Sequence, residues 1–305
     1  MAMDKEHASA SGSVGRVMRV LSSFDVAHPQ LKASDLYSRS GLPKATVHRI
    51  LHQLTQGGFL QKNEDTRQYG IGAGLFAIGS LFPRSTSLVQ VARPIVKELS
   101  ALTGEVATMY VPTPNRKSVI CVLREESRLS IRWELKVGTI LPGHASSAGK
   151  AILSTLSDEE IIRDVYPDEE LERLTAKTIG TRSELLSVLA GVRRSQLAYS
   201  DEETLVGVWG VASPVRDISG AAVASIALGA VTYTLEEERR SSLEIIAKAA
   251  NQLVSFQLGY VDSGTDVRTI EGLRELWQRS QSRERASIVR CEVSSARQSV
   301  DGVQM

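Results

Sequence analysis

Hydrogen-bonding and cationic side chains recur at helical spacing between residues 44 and 53, where they could contact nucleic acid. These side chains are Lys44, Thr46, His48, Arg49, His52 and Gln53. Between them, apolar residues follow the i, i+3, i+4, i+7 pattern of one buried helical stripe. The stripe consists of Val47, Ile50, Leu51 and Leu54. The segment therefore predicts an amphipathic helix whose polar face reaches base edges and phosphates in a major groove.

The flanking residues predict the elements that would hold this helix. Gly41 suits a tight turn after a short helix, and Pro43 suits the first turn of the next helix. A polar turn at residues 63–65 then separates two short strands that carry Lys62 and Arg67. Cations on such a hairpin can touch phosphate or the minor groove. This order is typical of a winged helix-turn-helix.

The competing interpretation is a helical hairpin in an ordinary small domain with a solvated polar face. Local charge favours DNA binding, because residues 13–72 hold eight basic and four acidic side chains, a net charge of +4. Residues 73–262 hold 20 basic and 23 acidic side chains, a net charge of −3, while the whole chain carries +1. The positive field therefore belongs to the N-terminal region.

The segment GHASSAGK, residues 143–150, invites comparison with a phosphate-binding loop. That loop needs glycine where His144 stands and a hydroxyl where Ala151 stands, so a nucleotide site is excluded. The segment GAGLFA, residues 72–77, matches a loose dinucleotide fingerprint but follows a wing strand instead of opening a βαβ unit. The sequence therefore predicts no cofactor. For residues 146–149 two interpretations stay open, an anion seat at a helix start or a plain structural turn.

Metal and disulfide chemistry are not predicted. His48 and His52 lie four residues apart, but Arg49 stands where a metalloprotease helix has its glutamate, and no further ligand lies near in the sequence. Cys121 and Cys291 are the two cysteines of the chain. A pair of cysteines provides no disulfide framework and fits a reducing compartment.

A hydrolase would draw on Ser146 or Ser147 together with His144 and Asp201. The chain lacks the G-x-S-x-G elbow that exposes a nucleophilic serine. We therefore predict that the protein is not an enzyme. Hydrolysis of a small ester or lactone is the alternative from another functional class.

Length and composition indicate a two-domain globular protein. The chain has 305 residues, of which 42% are apolar and 23% are charged. Residues 1–12 are small and polar, without the apolar centre of a signal peptide. No apolar run approaches the roughly 18–20 residues of a membrane span. We expect a cytoplasmic protein with no membrane partner.

Several segments resemble the IclR (isocitrate lyase regulator) family of bacterial transcription factors. Near the N-terminus these are SVGRVMRVLSSF, SGLPKATVHRILHQLTQGGFL and RQYGIGAGL. LPGHASSAGKAIL and AYSDEETLVGVWGVASPVRDISGAAVASIALG resemble the family's effector-binding domain. They occur in the family's order over about residues 13–259. The resemblance implies an α+β fold: a winged helix-turn-helix, a linker helix and a GAF-like domain with an antiparallel sheet and flanking helices.

The resemblance and the hydrophobic periodicity together predict the domain boundaries. They are a disordered N-terminus (1–12), the DNA-binding domain (13–72), linker and dimerisation helices (73–103), the effector-binding domain (104–262) and a partly disordered C-terminal extension (263–305). Pro94 is expected to kink or break the second linker helix. A strand is expected at residues 129–133, and an amphipathic helix at residues 266–278. Tyr37 stands where the family usually has a small residue.

The resemblance also implies an effector pocket formed by the loop at residues 146–149 and the strands that follow. Its residues are Ser146, Ser147, Ala148, Gly149, Ser200, Trp209, Gly210, Ala227 and Gly229. Relatives that bind small keto- or hydroxy-acids tend to have Asp, Cys and a serine pair at the four strand positions other than Trp209. The less polar set here favours a larger organic acid, such as an aromatic one. Trp209 either stacks on that ligand or packs inward.

We therefore expect a ligand-responsive transcriptional regulator, a repressor or an activator, whose partners are double-stranded operator DNA and a small-molecule effector. A two-fold operator requires a homodimer or a dimer of dimers, that is, a homotetramer. The expected contact between protomers is the apolar face of Leu88, Val91 and Ile95. A further alternative is a DNA-binding protein whose second domain only oligomerises.

Overall fold

The computed structural model describes residues 12–81, 87–126, 135–261 and 267–282. The chain divides into two compact units, Met1–Gln90 and Val91–Met305. Both units combine helices with an antiparallel sheet, so the predicted α+β class is confirmed. The disorder expected before residue 12, the strand expected at 129–133 and the end of the extension after residue 282 lie outside the described residues.

Unit 1 is a winged helix-turn-helix. Its helices are α1 (Ser13–Leu21), α2 (Ala33–Ser40), α3 (Lys44–Gln56) and α4 (Ala73–Gly79). Its strands are β1 (Gln30–Lys32), β2 (Leu60–Lys62) and β3 (Gln68–Ile71). They pair antiparallel in the order β1-β3-β2. The sequence predicted the β2–β3 hairpin but not β1, which is too short to show an alternating pattern.

The core of unit 1 forms where the apolar stripes of its first three helices meet. Val20, Leu36, Val47 and Leu51 have no solvent exposure. Gly41 ends α2 in a left-handed conformation, with φ of 62°, which costs glycine little. The turn brings α3 against α2 and leaves the polar side of α3 facing away from the core.

Unit 2 is built on a six-stranded antiparallel sheet of order β6-β5-β4-β9-β8-β7. Its strands are β4 (Val106–Pro112), β5 (Ser118–Glu125), β6 (Ile140–Pro142), β7 (Ala198–Asp201), β8 (Val208–Arg216) and β9 (Ala222–Val231). Its helices are α5 (Ser87–Thr103), α6 (Ser147–Leu153), α7 (Asp158–Glu160), α8 (Arg182–Ser195) and α9 (Glu237–Gln257). A π-helical turn (Ile161–Val165) follows α7, and a 3-10 turn (Thr232–Thr234) precedes α9.

Helix α5 contains Pro94 in its interior and continues through it to Thr103. Of the kink or break expected at this position, the break is therefore wrong. A proline removes one backbone hydrogen bond from a helix and crowds the preceding turn. Here Ile95, Val96 and Leu99 directly after it are completely buried, and that burial offsets the loss.

The two faces of the large sheet carry different side chains, because successive residues of a strand point to opposite sides. One face packs against α6, where Ala198 and Ala212 share an apolar core with Ala151. Helix α9 packs against β8 and β9 from the other side. Its buried Asn251 bonds to both backbone groups of Ile226, at 2.8 and 2.9 Å.

A last helix, α10 (residues 270–282), docks on unit 2. Its Leu273 and Trp277 are buried. Arg274 forms a two-pronged ion pair with Glu98 of α5, at 2.7 and 3.0 Å. The guanidinium of Arg239 in α9 lies 5.1 Å from the Trp277 ring centroid. The amphipathic helix expected at residues 266–278 thus exists with shifted ends, and its docking was not predicted.

Candidate DNA interface and ligand cleft

Helix α3 presents the side chains that the sequence assigned to DNA. Its buried side holds Val47, Ile50 and Leu51, so the opposite side faces solvent. The predicted DNA-contacting residues lie on that side, and Thr46 among them is half-buried. The exposed ones are Lys44, His48, Arg49 and His52. The fold therefore gathers the predicted set on the accessible side of one helix.

Helix α2 adds to this surface a side chain that the sequence did not assign to DNA. The Oη atom of Tyr37 lies 2.5 Å from Nε2 of His48, and the two ring centroids are 5.5 Å apart. Nζ of Lys44 lies 6.0 Å from the Tyr37 ring centroid. Tyr37 and His48 are 11 residues apart in the chain, so no local sequence pattern joins them.

The hairpin places its two predicted cations in different surroundings. Nζ of Lys62 lies 2.7 Å from Oε2 of Glu64, and this hydrogen bond raises the pKa of Lys62. Arg67 is exposed and has φ of 55°, a conformation that side chains with a Cβ adopt rarely. The hairpin thus presents one paired cation and one that has no ion pair with any described residue.

The second candidate site is a cleft in unit 2 between α6, the edge of β7 to β9 and the loop at residues 202–207. We call it the Ser200 cleft. The empty space in it, together with the open solvent at its mouth, is about 370 Å³. Eight of the nine predicted effector residues line it, and Gly149 does not. Other residues complete its walls. They include Thr108, Tyr110, Leu141, Thr204 and Val208.

Gly149 packs closely against Gly143 and does not line the cleft. A Cβ atom at this position would lie 2.4 Å from the Cα atom of Gly143, so the chain needs glycine here. The N–H of Gly149 donates to Oγ of Ser146, at 3.1 Å. Helix α6 has only seven residues, and its own serine already accepts one of the helix-start N–H groups. These features weaken the anion-seat interpretation.

The strand register places three small residues in one row along the cleft. Ser200 pairs with Gly210, and Gly210 pairs with Gly229. A Cβ at Gly210 would lie 3.1 Å from Oγ of Ser147 on the facing helix. Ser200 is 5% exposed, and its Oγ has no hydrogen-bond partner among the described residues. A buried hydroxyl without a partner costs free energy, which a bound molecule could recover.

Trp209 is among the lining residues, but its indole lies on the other face of the sheet, so it borders the cleft through its backbone. Trp209 directly precedes Gly210 in β8, so their side chains point in opposite directions. The Trp209 ring is covered by the guanidinium of Arg240, at 5.7 Å, and lies 6.3 Å from the ring of Tyr199. The residue is 2% exposed. Of the two roles expected for Trp209, the geometry fits inward packing and not stacking on a ligand beside Gly210.

A buried ion pair that the sequence missed connects the two walls of the Ser200 cleft. Nζ of Lys150 in α6 lies 2.5 Å from Oε1 of Glu203, with the side chains 1% and 13% exposed. Burial lowers the pKa of Lys150 and raises that of Glu203, against their mutual attraction. The partners are 53 residues apart, so nothing in the sequence joined them. The pair holds the helix to the loop between Ser200 and Thr204.

The side chains considered for hydrolysis do not form a relay. Nε2 of His144 lies 2.8 Å from the backbone oxygen of Glu172, and burial lowers the pKa of this histidine. Asp201 lies 3.9 Å from Arg240. It pairs with Trp209 across the strands, on the face opposite the Ser200 cleft. The arrangement provides no base for a serine nucleophile.

The described residues provide neither a metal-binding cluster nor a membrane-spanning helix. No three His, Cys, Asp or Glu side chains of the described residues are grouped so as to hold a metal ion. In the same part of the chain, no helix has the length and apolar character needed to cross a membrane. Nε2 of His48 is engaged by Tyr37, so the two histidines of α3 are not a free pair.

Two family profiles match the chain. One, described as IclR helix-turn-helix domain, covers residues 13–64, and the other, described as Bacterial transcriptional regulator IclR C-terminal, covers residues 83–255. The HTH-type transcriptional repressor AllR of Salmonella typhimurium is 30% identical over 226 residues, 74% of this chain and 82% of that protein. These matches are to transcriptional regulators and not to enzymes.

Solved structures share the fold. An IclR transcriptional regulator from Silicibacter sp. TM1040 superposes with a TM-score of 0.74 at 22% identity, over 83% of this chain and 98% of that one. An IclR homolog from Microbacterium hydrocarbonoxydans, solved with 4-hydroxybenzoate, gives a TM-score of 0.64 at 23% identity, over 81% and 100%. With both family profiles matched in order, the chain belongs to the IclR family of transcriptional regulators, which bind operator DNA through their helix-turn-helix domain.

Proposed function

We propose that this regulator changes its operator affinity when a small organic acid, aromatic or of medium size, binds in the Ser200 cleft. In this proposal residues 13–72 bind DNA, residues 73–103 link and pair protomers, and residues 104–262 hold the effector. The protein acts in the cytoplasm as a homodimer or a dimer of dimers. The effector must prefer one arrangement of the protein over another, because equal affinity for both would shift nothing.

The observation that carries the proposal is the Oγ atom of Ser200, which is buried in the cleft without a partner among the described residues. The glycines at 210 and 229 add no side chain to this wall, while Tyr110, Leu141 and others supply apolar surface. A concave site with apolar walls and a few polar groups is the usual form of a small-molecule pocket.

The acid group would be held by hydroxyls and backbone groups. None of the described residues that line the cleft has a charged side chain, so an ion pair at its wall is not part of the proposal. Ser147, Ser200 and Thr204 offer hydroxyl donors there. The Microbacterium protein supports the aromatic class, since it has a similar fold and was solved with 4-hydroxybenzoate.

The test compares Ser200→Ala with Ser225→Ala. Ser225 is also buried without a hydrogen-bond partner among the described residues, but it does not line the cleft. Neither substitution removes a hydrogen bond, so both variants should be about as stable as the wild type. A thermal-shift screen of aromatic and aliphatic acids, followed by operator titration with each hit, provides the ligand.

We expect Ser200→Ala to weaken the effector response about three- to tenfold, as for loss of one hydrogen bond, and Ser225→Ala to respond like the wild type. Unliganded operator binding should not change in either variant. An unchanged response in Ser200→Ala would place the ligand elsewhere. If only neutral compounds stabilise the protein, the proposed class of effector, an organic acid, is wrong, but the proposed location of the site is not affected.

A further inference from the structure

The hydroxyl of Tyr37 in α2 contacts the side chain of His48 in α3. We infer that Tyr37 is a positioning residue for DNA recognition, fixing the His48 ring so that Nδ1 is the nitrogen offered to the operator. The inference rests on the proposed placement of His48 at the DNA. It assigns Tyr37 a part in sequence recognition although Tyr37 itself lies on α2.

The apolar core of unit 1 holds the Tyr37 ring in place. The ring is half-buried and packs against the apolar core of unit 1 that contains Leu36 and Val47. Its Oη atom is therefore a fixed point, 2.5 Å from Nε2 of His48. His48 is otherwise exposed, and an exposed imidazole without this bond would sample several rotamers. The hydrogen bond selects one ring orientation before DNA arrives.

The same hydrogen bond decides whether the free nitrogen of the His48 ring, Nδ1, is a donor or an acceptor. A neutral imidazole has one donor and one acceptor nitrogen, and the bond made by one sets the role of the other. A phenol is a stronger donor than acceptor and the imine nitrogen is a strong acceptor, so Oη donates to Nε2. Nδ1 then carries the proton. A donor at this position can bond to N7 of either purine, to guanine O6, to thymine O4 or to a phosphate oxygen, but not to the amino groups of adenine and cytosine.

Tyr37 also borders a second DNA-facing side chain. Nζ of Lys44 lies 6.0 Å from the ring centroid, at the outer limit of cation–π attraction. Lys44 and His48 are one helical turn apart, so a single aromatic ring borders two neighbouring contacts. Tyr37→Phe keeps the ring and removes only Oη. It therefore isolates the effect on His48 from any effect on Lys44 or on the core.

The experiment is a double-mutant cycle on operator binding with Tyr37→Phe and His48→Ala. We expect Tyr37→Phe alone to weaken operator binding about three- to tenfold, as for loss of one hydrogen bond. Binding to a scrambled duplex should not change. In the His48→Ala background, Tyr37→Phe should cause no further loss, because its effect passes through the missing ring.

A second readout follows the tautomer directly on the folded protein. Nitrogen-15 NMR of the His48 ring at pH above 7.5 should show Nδ1 protonated in the wild type and a mixture of tautomers in Tyr37→Phe. A role of Tyr37 that is merely structural would leave this signature unchanged.

The outcomes separate the two hypotheses. If His48→Ala binds the operator like the wild type, the proposed DNA face of α3 is wrong. If His48→Ala binds weakly but Tyr37→Phe causes the same loss in both backgrounds, only the role of Tyr37 is overturned. An unchanged tautomer in Tyr37→Phe would overturn it as well.

Discussion

Arg49 and Lys62 are both cations assigned to DNA, but they differ in whether an ion pair already engages them in the DNA-free protein. Arg49 is exposed and forms no ion pair with a described residue, whereas Lys62 is already bonded to Glu64 at 2.7 Å. We expect Arg49→Ala to weaken specific operator binding by roughly 1–3 kcal/mol. Lys62→Ala should cause a smaller loss, similar for operator and scrambled duplex, because Glu64 already offsets part of its charge. Anisotropy titrations of both duplexes at several salt concentrations measure this. Full operator affinity in Arg49→Ala would contradict our orientation of α3.

His144 should make unit 2 sensitive to acid. Its Nε2 faces the backbone oxygen of Glu172 at 2.8 Å and so carries the proton, while Nδ1 is buried without a partner among the described residues. Burial lowers the pKa of His144 in the folded chain. The unfolded chain binds the proton below a pH of about 6.5. Stability is therefore lost as the pH falls through that value, by up to about 1.4 kcal/mol per pH unit. Urea denaturation of wild type and His144→Gln between pH 7.5 and 5.5 tests this, since the variant should show a shallower slope. Equal slopes would assign the acid sensitivity to other groups.

At the scale of elements, the Lys150–Glu203 pair should be costly to break from one side. Glu203→Gln leaves the charge of Lys150, which is 1% exposed, without a counter-charge. We expect about 3–5 kcal/mol of destabilisation, the usual result for a halved buried pair. Lys150→Met should cost less, because Glu203 is 13% exposed and can turn towards water. The double variant Lys150→Met/Glu203→Gln should recover most of the loss of Glu203→Gln. Guanidinium denaturation of the four proteins gives the comparison, and simple additivity would show that the two side chains are not coupled.

The elements show what local sequence can and cannot predict. The polar side of α3 was predictable because a 3.6-residue period is a local property of the chain. The row of Ser200, Gly210 and Gly229 depends on strand register, which single-chain periodicity does not contain, and it came from the family resemblance. The face taken by Trp209 changes with a one-residue shift in register. The Lys150–Glu203 contact depends on tertiary packing alone, so the sequence could not indicate it.

At the scale of the whole molecule, the exposed apolar residues of α4 and of the turn that follows it bear on the proposed pairing of protomers. Phe76, Ile78 and Leu81 are 75%, 58% and 55% exposed, as at a surface that another copy could cover. The contact expected at Leu88, Val91 and Ile95 fits less well. Ile95 is completely buried within its own chain, and the other two are half-buried.

We therefore expect Phe76→Asp to raise the dissociation constant of the proposed dimer by roughly ten- to a hundredfold, the equivalent of one buried aromatic side chain. Val137→Asp is the control, because Val137 is exposed to a similar degree, 57%, in a different part of the chain. Sedimentation velocity over a micromolar dilution series measures the effect. A Phe76→Asp protein that sediments like the wild type would exclude α4 from the dimer contact.

The adjacent arginines at the start of α9 have an optical consequence. Arg239 covers the indole of Trp277 and Arg240 covers that of Trp209, and both indoles are shielded from water. Shielded indoles emit at shorter wavelengths than indoles in water. With Trp133, which lies outside the described residues, replaced by phenylalanine, emission comes only from these two rings. If the emission maximum of this variant moves to longer wavelength and Trp277→Phe abolishes that shift, α10 has been released. If Trp209→Phe abolishes the shift instead, the sheet beside the cleft has changed. The chain thus carries one intrinsic fluorescent probe for the docking of α10 and another for the sheet beside the cleft.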